Sequence, residues 1–123
     1  MANPNLVSPT TINGLTAGVD LSSTSETAVL TNAASSGKGY RVTSLFVTNV
    51  DGTNNAAITL KWYNAASGGT GYAIASTLTV PADATVVVIT REQNLWLPEN
   101  SRLTATASAA DDLEIVVSYE DVA

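Results

Sequence analysis

The chain reads as an all-β protein: an antiparallel two-sheet β-sandwich of immunoglobulin-like or jelly-roll type, with seven or eight strands and an extended N-terminal arm. Three observations carry that reading. Ala, Thr, Ser and Val dominate the composition, and the Cβ-branched residues among them suit a pleated surface. Short runs of alternating apolar and polar residues recur about every ten positions, separated by Gly, Asn, Asp and Pro. No stretch sustains the apolar period of an amphipathic helix. Because half of each run is apolar, one sheet alone would leave a greasy face in water, so two sheets must close on each other. At 123 residues the chain has the length of one domain, enough for a core that buries roughly two-thirds of the unfolded surface.

The elements follow in order. ETAVLT (26–31) is a short strand and GKGYRVTSLFVTNV (37–50) a long one. The long run breaks strict alternation between Val42 and Leu45, which predicts a bulge there. DGTNN (51–55) is turn chemistry led by Asp-Gly. AAITLKWYN (56–64) alternates cleanly, with Ile58, Leu60 and Trp62 on one face, which makes Trp62 a core anchor. The glycine-rich loop 66–71 leads into YAIASTLTV (72–80), with Tyr72, Ile74, Leu78 and Val80 on one face. PADA (81–84) turns the chain into TVVVITR (85–91). After NLWLPEN, SRLTATAS (101–108) and LEIVVSYE (113–120) form the closing hairpin around AADD. In that hairpin Leu103, Ala105 and Ala107 face inward opposite Leu113, Ile115 and Val117.

Residues 1–25 differ from the rest. They are rich in Asn, Pro, Ser, Thr and Gly, with only scattered apolar residues: Leu6, Val7, Ile12, Leu15, Val19 and Leu21. Such a segment buries too little apolar area to offset its own ordering entropy. Either it is mobile or it docks as an arm on a neighbouring subunit; the scattered apolar residues favour docking, and the sandwich domain is expected to span 26–123. Deleting residues 1–22 should then leave the sandwich folded. The N-terminus has no basic residue before Lys38 and no secretory-length apolar run, and no segment approaches membrane-spanning length. Synthesis in the cytoplasm is expected, and no membrane partner.

Charge and composition narrow the chemistry. Eleven acidic and five basic residues give a net charge of −6. The basic residues, Lys38, Arg41, Lys61, Arg91 and Arg102, are scattered, which argues against a nucleic-acid partner. The chain has no cysteine and no histidine. Disulfides, thiol nucleophiles, the usual zinc and haem ligands and imidazole bases are therefore all excluded.

Glu92 and Glu99 flank one loop, yet glycoside hydrolysis needs two carboxylates facing each other across a cleft. Asp111, Asp112 and Glu114, or Asp51, Asn54 and Asn55, offer oxygen ligands but match no complete calcium loop. SGGTG precedes a strand rather than a helix and lacks a following Gly-Lys-Ser/Thr, so it is no phosphate cradle. Hence no catalytic residue, metal ligand or cofactor is assigned. Trp96, between Leu95 and Leu97 and just before a proline, is read as an end cap or a subunit contact. A carbohydrate-binding module is a further reading, and it requires Trp96 exposed beside Tyr63 or Tyr72. The interaction residues expected from sequence are Leu6, Val7, Ile12, Leu15, Val19 and Trp96.

GYRVTSLFVTNVDG (39–52), STLTVPADATVVVITREQNLWLPENSRLTATAS (76–108) and DLEIVVSYEDV (112–122) resemble the small β-sandwich virion proteins of tailed bacteriophages. The shared pattern is a strand ending in Asn, a Val-Pro-Ala turn, Leu-x-Leu before an Ala/Ser-rich strand, and a final Val-Ser-Tyr-Glu strand. It covers most of residues 39–122 but not the arm. The resemblance implies a non-enzymatic capsid decoration or cement protein, or a neck or tail part, in the virion. Its implied partners are the major capsid protein or neighbouring virion proteins. A symmetric homo-oligomer, with a trimer favoured, is expected on the outer capsid surface or the tail.

Overall fold

The computed structural model describes residues 3–123, so the first two positions of the expected arm lie outside the described residues. The strands are β1 (Ile12–Asp20), β2 (Thr27–Asn32), β3 (Gly39–Asn49), β4 (Ala56–Tyr63), β5 (Gly71–Val80), β6 (Thr85–Ile89), β7 (Leu95–Leu97), β8 (Ser101–Ala107) and β9 (Leu113–Val122). A single 3-10 turn, Arg91–Gln93, separates β6 from β7. One sheet has the order β1-β9-β3-β6, with β7 also pairing with β3; the other has the order β2-β8-β4-β5. Every pairing is antiparallel. The chain is thus wound as a folded-over hairpin, in which β1 meets β9, β2 meets β8, β3 meets β6 and β4 meets β5. That winding makes the sandwich a jelly roll.

The seven long runs identified in the sequence all form strands, with ends moved by no more than two residues. The interior they enclose is filled by Leu and branched side chains, among them Val42, Leu45, Ile58, Leu60, Leu103 and Ile115. The register of β3 on β9 shifts between Val42 and Ser44, the bulge expected there. The freed Thr43 hydroxyl donates to the Ser118 carbonyl at 3.0 Å. Trp62 packs against the core from its edge and stacks on Tyr72 across the β4–β5 ladder.

Two expectations need correction. In β5 the register shifts twice, between Ile58 and Leu60 and again between Leu60 and Lys61, and Thr77 takes a left-handed φ of 52°. The slips place Ala75 opposite Leu60 and leave Ile74 exposed, so the simple alternation assigned to 72–80 does not hold. The second correction concerns residues 1–25. Ile12–Asp20 is not an arm but a complete edge strand, paired with β9 from Ile12↔Val122 to Asp20↔Glu114. Leu21 follows it into the core and is fully buried. Its N–H donates to the Leu113 carbonyl, and its own carbonyl accepts from Asp111 N–H, each at 3.0 Å. The sandwich therefore begins at Ile12 rather than Glu26, and a deletion through residue 22 removes a strand. Only residues 3–11 remain as an extension, tied down where Thr10 and Thr11 N–H both donate to the Ala123 carbonyl.

Candidate assembly surface

The site grows from β7. This three-residue strand turns Leu97 into the core and so presents Trp96 on the outer face of the first sheet, beside Arg41 on β3. Trp96 is half-buried. Its cover is the extension: the Asn3 side-chain oxygen accepts the Glu99 N–H at 2.7 Å, and Pro4 lies over Gly39. A Cβ at Gly39 would meet Pro4 at 3.4 Å and the indole at 3.6 Å, ordinary contact distances that place the extension and Trp96 side by side over this position. Two open cavities flank the indole. One, of about 190 Å³, is lined by Asn3, Pro4, Leu6, Gly39, Trp96 and Pro98. The other, of about 200 Å³, includes Leu6, Ile12, Arg41, Trp96 and Val122. Leu6 lines both, yet it is 57% exposed, and Val7 beside it is 93% exposed.

Of the residues singled out from sequence, Leu6, Ile12 and Trp96 are brought together, and Val7 stands next to them in solvent. Leu15 and Val19 do not join them. They share a register face with Ala17 on the inward side of β1, where Val19 packs on the core and Leu15 is partly exposed at the sheet edge. Asn3, Pro4 and Gly39 were not anticipated. No local pattern marks them, because the contacts run between segments far apart in sequence.

Electrostatics separates the two ends of the sandwich. At the Trp96 end, Lys38 pairs with Asp121 at 3.2 Å and Arg91 with Glu120 at 3.4 Å. The hydrogen bond and charge of Asp121 raise the Lys38 pKa. Lys61 and Arg102 lie on the same half, on β4 and β8. Arg102 caps the ring of Tyr63 at 3.9 Å and donates to the carbonyls of Ala65 and Gly68. Nearby, Glu26 accepts from the Thr104 hydroxyl at 2.7 Å and from the Tyr63 phenol, and these bonds hold its carboxyl below the ordinary value.

The opposite end carries Asp20, Asp51, Asp83, Asp111, Asp112 and Glu114, and no lysine or arginine. Backbone bonds knit these turns together: Asp83 N–H to the Asp51 carbonyl, and Val50 N–H to the Asp112 carbonyl. The net charge of −6 therefore resides at one end, while the Trp96 end is close to neutral.

Of the carboxylates weighed as chemical groups, Glu99 and Asp51 close local structure. One Glu99 oxygen accepts Gly37 N–H at 2.9 Å, and Glu92 is exposed on the 3-10 turn. Asp51 accepts from the N–H groups of Thr53 and Asn54, which lowers its pKa and closes its own turn. Asp111 sits in a turn with φ at 64°. Among the described residues, no three acidic side chains converge as a metal site would require. The aromatic platform required of a carbohydrate-binding module is not formed either. Trp96 belongs to the first sheet, whereas Tyr63 and Tyr72 belong to β4 and β5 of the second. Among the described residues, no helix is long and apolar enough to cross a membrane.

No protein-family model and no curated protein sequence matches the chain. Among solved structures, a chain of the Bacillus endospore appendages, described as disulfide-linked pili, superposes with a TM-score of 0.54 at 16% identity. The match covers 91% of this chain and 88% of that one. A chain of the T13 infectious bursal disease virus particle gives a TM-score of 0.42 at 9% identity, covering 89% of this chain and 31% of that one. The VP2 subviral particle of the same virus gives 0.38 at 12% identity, covering 94% and 33%. This chain thus spans about a third of the length of the viral chains. The likeness to the pilus chain is one of fold, and with no cysteine in these 123 residues the disulfide linkage of those pili has no counterpart here.

Proposed function

We propose that this chain is a non-enzymatic structural subunit of a tailed-phage virion, a decoration or cement protein that binds the outer capsid shell. The observation that carries the reading is the extension of residues 3–9. It lies on the surface of a tightly filled jelly roll and displays Leu6 and Val7 to solvent beside the Trp96 cavities. A rigid body with an apolar tether is what gripping a neighbour requires, since a tethered contact acts at high effective concentration. The sequence resemblance to phage virion sandwiches, and the use of a similar fold in an endospore pilus, agree with a building-block role. Its strongly acidic end is repelled by packaged DNA, which favours the outside of the shell.

The test is co-sedimentation of the purified protein with phage particles lacking it, followed by a copy-number measurement. Hundreds of saturable copies support a shell protein. A ring of about six or twelve assigns it instead to the neck or tail. Absence of particle binding overturns the reading.

A further inference from the structure

We infer that the Trp96 cradle is a self-association site, in which residues 3–9 of a second copy seat in place of the chain's own. The inference rests on the structural-subunit reading and names one of its contacts. The ligand's chemistry is on view, because the cradle already holds this sequence: Asn3 on the Glu99 N–H, Pro4 on Gly39 and Leu6 lining the cavities beside the indole. Within one chain the fit is incomplete. The extension is leashed at Thr10 and Thr11 to the C-terminal carbonyl of Ala123, and the Asn5 side chain folds it back onto Val7 N–H at 2.9 Å. So held, it leaves both cavities beside Trp96 open, with Leu6 and Val7 largely in water. Exchange between copies keeps the anchoring contacts and buries those side chains between two bodies, the low-cost logic of an exchanged element.

Charge selects the second copy's approach. The carboxylates that make up the net charge stand at the far end of strands nine to eleven residues long, about 30 Å away. That exceeds the screening length of about 8 Å at physiological salt several times over. Two copies meeting at their Trp96 ends therefore feel little repulsion, whereas contacts through the acidic end oppose like charges.

The absence of cysteine makes the test clean. Val7→Cys and a size-tagged Pro98→Cys variant are mixed and treated with a short bismaleimide. The expected result is a V7C–P98C heterodimer at least ten-fold above either homodimer. Equal yields of all three pairs, or no intermolecular product when a V7C/P98C double variant links within one chain, overturn the inference. Sedimentation equilibrium provides the second measurement. The wild-type mass should rise with concentration above 12.6 kDa, while Val7→Asp, changed at an exposed position, should stay monomeric. Equal association of both proteins, or a wild type monomeric throughout, refutes the exchange. Particle binding retained by V7D leaves the structural reading standing on other contacts, and binding lost by wild type itself removes that reading instead.

Discussion

Leu21→Ala asks whether the jelly roll begins at Ile12. Leu21 is fully buried, and its backbone is hydrogen-bonded on both sides to the β8–β9 region. Truncation removes three buried carbons, about 2.4 kcal/mol at about 0.8 kcal/mol each. A cavity in a filled core adds to that, and large-to-small core changes of this kind cost about 3 to 5 kcal/mol. Against a total stability of about 5 to 15 kcal/mol, the loss is severe. With a urea m-value of about 1.5 kcal/mol/M, the midpoint should fall by about 2 to 3 M with m unchanged. Leu15→Ala is the control on the same strand. At 42% exposed it gives up roughly 1.4 kcal/mol or less and leaves no closed cavity. The assay is urea unfolding followed by tryptophan fluorescence and by circular dichroism, whose transitions should coincide. A Leu21→Ala protein within about 0.5 kcal/mol of wild type would show that residues 12–21 are a dispensable arm.

Two further outcomes follow from polar groups in the fold. Asn49 is buried, donates to the carbonyls of Asn54 and Val80 at 2.9 and 3.0 Å, and accepts Asp51 N–H. Asn49→Ala strips these groups of their partner and should cost about 2 to 4 kcal/mol by denaturant titration, with a loss under about 1 kcal/mol contradicting the latch. Glu26 is held below its ordinary pKa of 4.5 by the Thr104 hydroxyl first and the Tyr63 phenol second. A folded-state pKa lowered in this way stabilises the fold above the unfolded value, and that contribution is lost as pH falls through the folded value. Glu26→Gln should therefore melt below wild type at pH 7 and converge with it in acid. By NMR the carboxyl should titrate below 4.5, and Thr104→Val should move it upward.

The legible runs were those that turn apolar side chains onto the core, and they include the edge strands β2, β5 and β6 as well as the central ones. The runs that became β3, β4, β8 and β9 alternate most clearly because each keeps one face in the core. β1 escaped notice because its sequence shows little apolar alternation. Its outward face is mostly Gly14, Thr16 and Gly18, and its inward Leu15 is only partly covered. The compositional estimate that 1–25 cannot sustain its own ordering is right for the segment alone. It fails because β9 supplies the nine-residue ladder and the core supplies the slot for Leu21. β7 was too short to show any period, and the β5 slips depend on its fit to β4, which no local pattern encodes.

The candidate surface was legible by residue type and not by geometry. Leu6, Ile12 and Trp96 stood out as apolar residues without an evident core position, and an apolar residue that the core does not use must find cover elsewhere or remain in water. What joined them was the pairing of β7 with β3, which aims Trp96 outward, and of β1 with β9, which returns the N-terminus to the same edge. The same topology sorts the charge. Every lysine and arginine falls on the half that holds Trp96, while the other end collects aspartates in and beside its turns. Each Asp, Lys or Arg is a local choice, yet their placement along the strands and turns sums to a polarity of the whole molecule. Under the proposed exchange, that polarity would give the apolar cradle its direction, with copies meeting where the field is weakest and the acidic end held away from the contact.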